Sequence, residues 1–151
     1  MVDVQTVSIA IASVSVVAGV IYYALQIRHQ TKLRQTDLIM RLHSAYDSRE
    51  FLECLWKMLK LETADYEDYV KTEDLTVASE VGVFFEGLGI LLKRKLVDIS
   101  LVDDLYSSPI IMLWEKTKPI WEALRKQYDR PQIFEHFEYL YNEMKKREQQ
   151  R

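Results

Sequence analysis

Val4 to Ile27 reads VQTVSIAIASVSVVAGVIYYALQI, a run of 24 residues without one charge. About 20 apolar residues cross the hydrocarbon core of a bilayer, so this stretch is read as a transmembrane helix. Its centre, Ile9 to Leu25, is rich in Val, Ile and Ala. Tyr22 and Tyr23 stand near its end, where amphipathic rings favour the membrane interface, and Arg28, His29, Lys32 and Arg34 follow at once. A cleaved signal peptide has its positive charge before the apolar core. Here Asp3 precedes the core and the cations follow it. A buried core helix of this length without a charge is also disfavoured.

The same cations set the orientation. Lys and Arg are retained on the cytoplasmic side, which puts the N-terminus outside and the rest of the chain in the cytoplasm. The expected location is the cell membrane, crossed once, with Tyr22, Tyr23, Arg28, Lys32 and Arg34 at the interface and the lipid bilayer as first partner. Ser8, Ala12, Ser15 and Gly19 are spaced by four, three and four, one stripe of small side chains along the helix. Small residues let membrane helices approach closely. The stripe is read either as an oligomerisation face or as the chance product of a Ser/Ala-rich span.

Beyond the span the chain is charge-rich. The whole chain carries a net charge of −3 over 151 residues. That sum conceals a collar at 28–43 of about +3, a middle at 44–104 of about −7, and an end of about +2. No strong basic surface for nucleic acid is implied. Cys54 is the sole cysteine, which excludes an intramolecular disulfide and a thiolate zinc site within one chain.

With no proline before Pro109 and no glycine between Gly19 and Gly82, the span is expected to continue unbroken through the collar to about Tyr46. Asp47 and Ser48 suit the cap of a next helix, about 49–61, with Phe51, Leu52, Leu55, Met58 and Leu59 as its apolar set and Trp56 beside it. A short acidic turn or helix at 63–71 follows. The central element, about 74–96, repeats apolar residues at three and four (Ala78, Val81, Phe85, Leu88, Leu92) and is apolar on other sides too, the mark of a buried helix. Asp98 and Ser100 cap a short segment through Tyr106. A further helix starts near Pro109, and Pro119 kinks or splits it. Trp114, Trp121 and Tyr128, seven apart, form an aromatic seam, read as core rather than as a partner groove. A turn at Arg130-Pro131 leads to a last helix, about 132–147, with Ile133, Phe137, Leu140 and Met144 on one face.

The expected architecture is all-α: one N-terminal transmembrane helix continuing into a compact soluble helical bundle of about five helices. The divisions are an anchor at 1–27, a basic juxtamembrane helix at 28–46, a helical domain at 47–144 and a charged tail at 145–151.

Glu86 is the only charge between Val81 and Leu92, and shares a stripe with Ser79, Gly82, Gly89 and Lys93. One reading makes it a semi-buried carboxylate poised for a cation or a ligand amine, with Lys93 and Arg94 lining the same pocket. The favoured reading is a structural ion pair with an arginine, or the solvent edge of the helix. Asp65, Glu67, Asp68, Glu73 and Asp74 lack the alternation and turn glycine of a calcium loop. His29, His43 and His136 have no metal-ligand spacing, His136 is read as a surface residue, and Cys54 is read as core packing. No metal and no cofactor is expected.

Phe84-Phe85-Glu86-Gly87-Leu88-Gly89-Ile90-Leu91-Leu92-Lys93-Arg94-Lys95-Leu96-Val97-Asp98, followed by Leu101-Val102 and Trp114, resembles an uncharacterised prokaryotic family of short proteins of unknown function. Its members join an N-terminal membrane helix to a helical domain and carry a phenylalanine-glutamate-x-x-glycine core helix. The likeness covers about residues 30–142, and Lys95 stands where such proteins often have glycine. The resemblance supports the architecture and brings no catalytic residues.

The functional expectation is a non-enzymatic interaction or scaffold module at the cytoplasmic membrane face, self-associating as a homo-oligomer or recruiting a protein partner. The alternative is a ligand-sensing or effector protein with a pocket near Glu86.

Overall fold

The computed structural model describes residues 3–60, 67, 69 and 75–150. The chain divides into two units, Met1–Asp37 and Leu38–Arg151. Among the described residues there are five helices and no strand: α1 Val4–Tyr46, α2 Arg49–Lys60, α3 Leu75–Lys93, α4 Ile99–Tyr128 and α5 Glu135–Glu148. The acidic segment expected at 63–71 lies outside the described residues, apart from Glu67 and Tyr69.

The first unit is the helical run through Asp37, and its apolar side chains are exposed along its length. At about 1.5 Å per residue, α1 extends roughly 65 Å as a helix. It is long and apolar enough to cross a membrane. The serines in it are satisfied locally: Ser8 donates to the Val4 carbonyl at 3.0 Å, Ser13 to Ile9 at 2.8 Å and Ser15 to Ile11 at 2.9 Å. No hydroxyl of these three needs water, the condition for a serine to sit in an apolar surrounding.

In the second unit, the end of α1 places Ile39 in the core, with Leu38, Leu42 and Tyr46 packed against it. Ser48 caps α2, its hydroxyl accepting from the Phe51 amide at 3.3 Å. Only a narrow stripe of α2 is buried, namely Phe51, Leu55 and Met58. Cys54 therefore lies at the boundary, not in the core, with its thiol 3.5 Å from Glu80 Oε2. Trp56 is exposed. At the other end of α2 the Lys116 ammonium donates to the Leu59 carbonyl, one of the last four that a helix leaves unpaired.

α3 packs against α5 and α2. Its predicted face is buried entire, with Ala78, Val81, Phe85 and Leu88 at 0% exposure and Leu92 at 6%. α4 corrects the sequence reading. A short segment through Tyr106 and a further helix from near Pro109, kinked or split at Pro119, are the expectation, yet Ile99–Tyr128 is one helix containing both prolines. Each proline removes one helical hydrogen bond. The carbonyls concerned belong to Leu105 and Glu115, both exposed residues. The opposite face is a continuous buried stripe including Val102, Tyr106, Ile110, Leu113, Ile120 and Trp121, and packing of that stripe outweighs the two lost bonds. Asp98 caps α4 as expected, accepting from the Ser100 amide at 2.8 Å and from its hydroxyl. Those two bonds hold its carboxyl below the usual value.

Trp114 and Trp121 are core, but Tyr128 is 58% exposed and leaves the seam. α4 closes there, since Asp129 is left-handed at φ 50°. α5 begins at Glu135, later than the apolar pattern suggests, because Phe134 is left-handed at φ 54°. Ile133 thus lies in the turn, and Phe137, Leu140 and Met144 form the buried face.

Candidate functional site: the crossing of α3 and α5

α5 starts without a side-chain cap of its own, since Phe134 in the capping position has no oxygen to offer. Glu86 supplies the acceptor from α3. Its Oε2 accepts from the His136 amide at 3.0 Å and the Phe137 amide at 2.8 Å, and its Oε1 lies 2.8 Å from His136 Nδ1. A carboxylate at a helix N-terminus meets both the unpaired amides and the positive end of the helix dipole. The partner of Glu86 is therefore a helix end and a histidine, not an arginine. His136 is half-buried against it, not a free surface residue.

Two glycines make the approach. A β-carbon on Gly89 would overlap the backbone carbonyl of His136, and one on Gly82 would stand 2.7 Å from the Phe134 ring. Gly87, on the open side of the same helix, would meet nothing. From α4, Arg125 closes the crossing: Nε donates to the Ile133 carbonyl at 2.8 Å and Nη1 to Glu138 Oε2 at 2.8 Å. Around this polar centre the Phe85 and Phe137 rings stack at 5.1 Å, and Trp114 meets Phe137 edge-on at 5.0 Å. A second ion pair joins α4 and α5, with Arg147 Nε donating at 2.9 Å to Oδ2 of the buried Asp103.

Lys93 and Arg94, grouped with Glu86 by sequence, lie about two turns further along α3, roughly 10 Å away at 1.5 Å per residue. Both are exposed, and Lys93 Nζ stands 5.9 Å from the Tyr139 ring centre. Ser8, Ala12, Ser15 and Gly19 are exposed in the first unit, and nothing lies within 4 Å of where a Gly19 β-carbon would be. Tyr22, Tyr23, Arg28, Lys32 and Arg34 are exposed on the same helix. Among the described residues no group of three or more His, Cys, Asp or Glu side chains could hold a metal ion. His136 and Arg125 were missed as site residues. The absent cap before Glu135, a phenylalanine where Ser, Thr, Asp or Asn is usual, is the signal that an acceptor must come from elsewhere.

Fold and site together define an all-α chain with one long apolar N-terminal helix and a helical unit fastened where Glu86 meets the start of α5. The chain belongs to the family described as Domain of unknown function (DUF4760), whose sequence profile matches residues 13–144. The match takes in the second half of the apolar run as well as the helical unit. No curated protein and no solved structure matches the chain.

Proposed function

We propose that this protein is a membrane-anchored interaction module: a single-pass span with its N-terminus outside, holding a helical bundle at the cytoplasmic face and self-associating through Ser8, Ala12, Ser15 and Gly19. The observation that carries the reading is the first unit itself. An uncharged helical run whose side chains are all exposed has no favourable place in water, and a basic collar follows it directly. The locally bonded serines support close helix approach, since they present small surfaces with their hydroxyl donors already engaged. In the second unit, the polar groups brought together at the α3–α5 crossing hold helices to one another, which favours an interaction module over an enzyme. The ligand-sensing alternative would require Glu86 to leave two backbone amides that it already accepts from and the His136 ring beside it.

The test is the mass of the detergent-solubilised full-length protein beside Ser15→Ile and Gly19→Ile. A defined oligomer that falls to monomer in the variants is expected. Monomer in every case at every concentration would remove self-association and leave a plain tether.

A further inference from the structure

Gly82 and Gly89 admit α5, but Gly87 admits nothing of its own chain, since no neighbouring atom lies within 4 Å of where its β-carbon would stand. Glycine inside a helix costs stability against alanine. The fold of the single chain gives no reason to keep it. Gly87 is the centre of the outward face of α3. Val83, one turn earlier, is 62% exposed. Leu91, one turn later, is half-buried at the edge of the face. Seven residues before and after Gly87, two turns each way and on the same face, stand Glu80 and Arg94, both exposed. At 1.5 Å per residue each lies roughly 10 Å from Gly87 along the helix. Glu80 meets the Cys54 thiol at 3.5 Å, a weak donor and not a cation. The face is therefore complementary to itself. A second copy laid antiparallel on it, with a two-fold axis beside Gly87, sets Glu80 against the second copy's Arg94, Arg94 against its Glu80, and Val83 against its Leu91. A two-fold interface demands this reciprocity. The helix dipole favours an acid early and a cation late in any helix, and so accounts for the two signs. It does not account for an exposed valine and a spare glycine between them.

We propose that this face of α3 is a two-fold interface between two copies of the chain, crossing antiparallel at Gly87. The paired glycines let the backbones approach, Val83 and Leu91 fill the contact on either side, and the two reciprocal ion pairs set the register. Ion pairs at an exposed rim contribute little energy but disfavour wrong registers. In chains dispersed singly in detergent Gly87 stays open and alanine there gains helix propensity; in the pair alanine holds the backbones apart. One helix face is a small patch, and chains confined to one bilayer meet at high effective concentration. To that extent the inference rests on reading α1 as a membrane anchor. It does not rest on the Ser8, Ala12, Ser15 and Gly19 stripe. An unrelated protein partner would require no reciprocity about Gly87.

The experiment uses membranes from cells that express the full chain with Cys54→Ser in two differently tagged copies, each carrying one new cysteine, under mild oxidation. A disulfide needs α-carbons roughly 4.4–6.8 Å apart, so only a close crossing forms one efficiently. Gly87→Cys should link the two tags several-fold more than Met112→Cys, a position on α4 with 56% exposure. Adding Glu80→Arg to both copies, or Arg94→Glu to both, sets like charges opposite each other and should cut the link at 87 several-fold. Both substitutions together should restore it. So should Glu80→Arg in one copy with Arg94→Glu in the other, because each facing pair is then opposite in sign again. These rescues separate a lost contact from a lost fold. No link at 87, equal linking at 87 and 112, charge variants that leave the link unchanged, or a loss that neither rescue reverses overturns the proposal. So does protection of the cysteine at 87 from a soluble maleimide without a link, the result expected if another protein or lipid covers the face. Gly19→Cys in the same membranes reads the span separately. A link at 19 without one at 87 overturns this proposal alone, and a link at 87 without one at 19 overturns self-association through the span alone. Chain recovered outside the membranes overturns the anchor reading, and the link at 87 is then scored in that fraction.

Discussion

Gly87 and Gly89 stand two residues apart in one helix and are held to opposite standards. At Gly89 an added methyl group would overlap the His136 carbonyl, a backbone atom that moves only if α5 moves. At Gly87 there is open space. Gly89→Ala should therefore destabilise the protein by about 3 kcal/mol, the upper part of the range for overfilling a packed contact. Gly87→Ala should stabilise it by about 0.5–1 kcal/mol through helix propensity. Chemical unfolding in detergent, followed by the fluorescence of buried Trp114 and Trp121, measures both. Equal effects of the two substitutions would show that the α3–α5 approach is looser than described. The phenylalanine-glutamate-x-x-glycine pattern acquires a physical content here. Phe85 stacks on Phe137, Glu86 accepts from the first amides of α5, and Gly89 admits its backbone. The sequence marks Glu86 as unusual because it is a lone charge in an apolar helix. It conceals the partner, because backbone amides leave no trace in residue identity.

The same division holds for elements. α1 and α2 were legible almost to the residue, and α3 apart from its end, which falls at Lys93 and not near 96. α4 was not, because two prolines locally disfavour what a long buried stripe enforces over thirty residues, and each proline withdraws its bond from an exposed residue. The start of α5 was misplaced because the left-handed Phe134 is set by its contact with Trp121, at 4.4 Å between ring centres, and not by any local signal. The end of α1 is held by aromatics: Tyr46 meets Tyr106 at 5.0 Å and Phe51 at 5.3 Å, and His43 Nδ1 lies 3.3 Å from the Tyr106 hydroxyl. Burial, and next the neighbouring Tyr46 phenol, push the Tyr106 hydroxyl up to about 12. A group whose pKa is raised in the folded chain contributes stability that is complete below its unfolded value near 10 and is lost as pH climbs to about 12. Stability should thus fall by up to about 2–3 kcal/mol between pH 10 and 12 on account of this residue. Tyr106→Phe should flatten the fall in part, since burial also raises Tyr46. Unfolding midpoints across that window test the point, and an unchanged slope in the variant would assign the alkaline loss elsewhere.

At the scale of the whole molecule, the charge sequence makes a claim that no single helix makes. Reading from the N-terminus, one acid precedes the span, a collar of about +3 follows it, and an acidic stretch of about −7 comes next. Only cations close to a span set its direction, and acids count for little, so the collar decides and the acidic middle does not reverse it. The second unit should lie on the cytoplasmic side. Tyr128 is 58% exposed and far in sequence from the collar, which suits it as a reporter. In a Cys54→Ser background, Tyr128→Cys should resist a membrane-impermeant maleimide in intact cells and react once the cells are permeabilised. A cysteine placed before the span, at Asp3, should react in both conditions. Reversal of this pair would invert the topology.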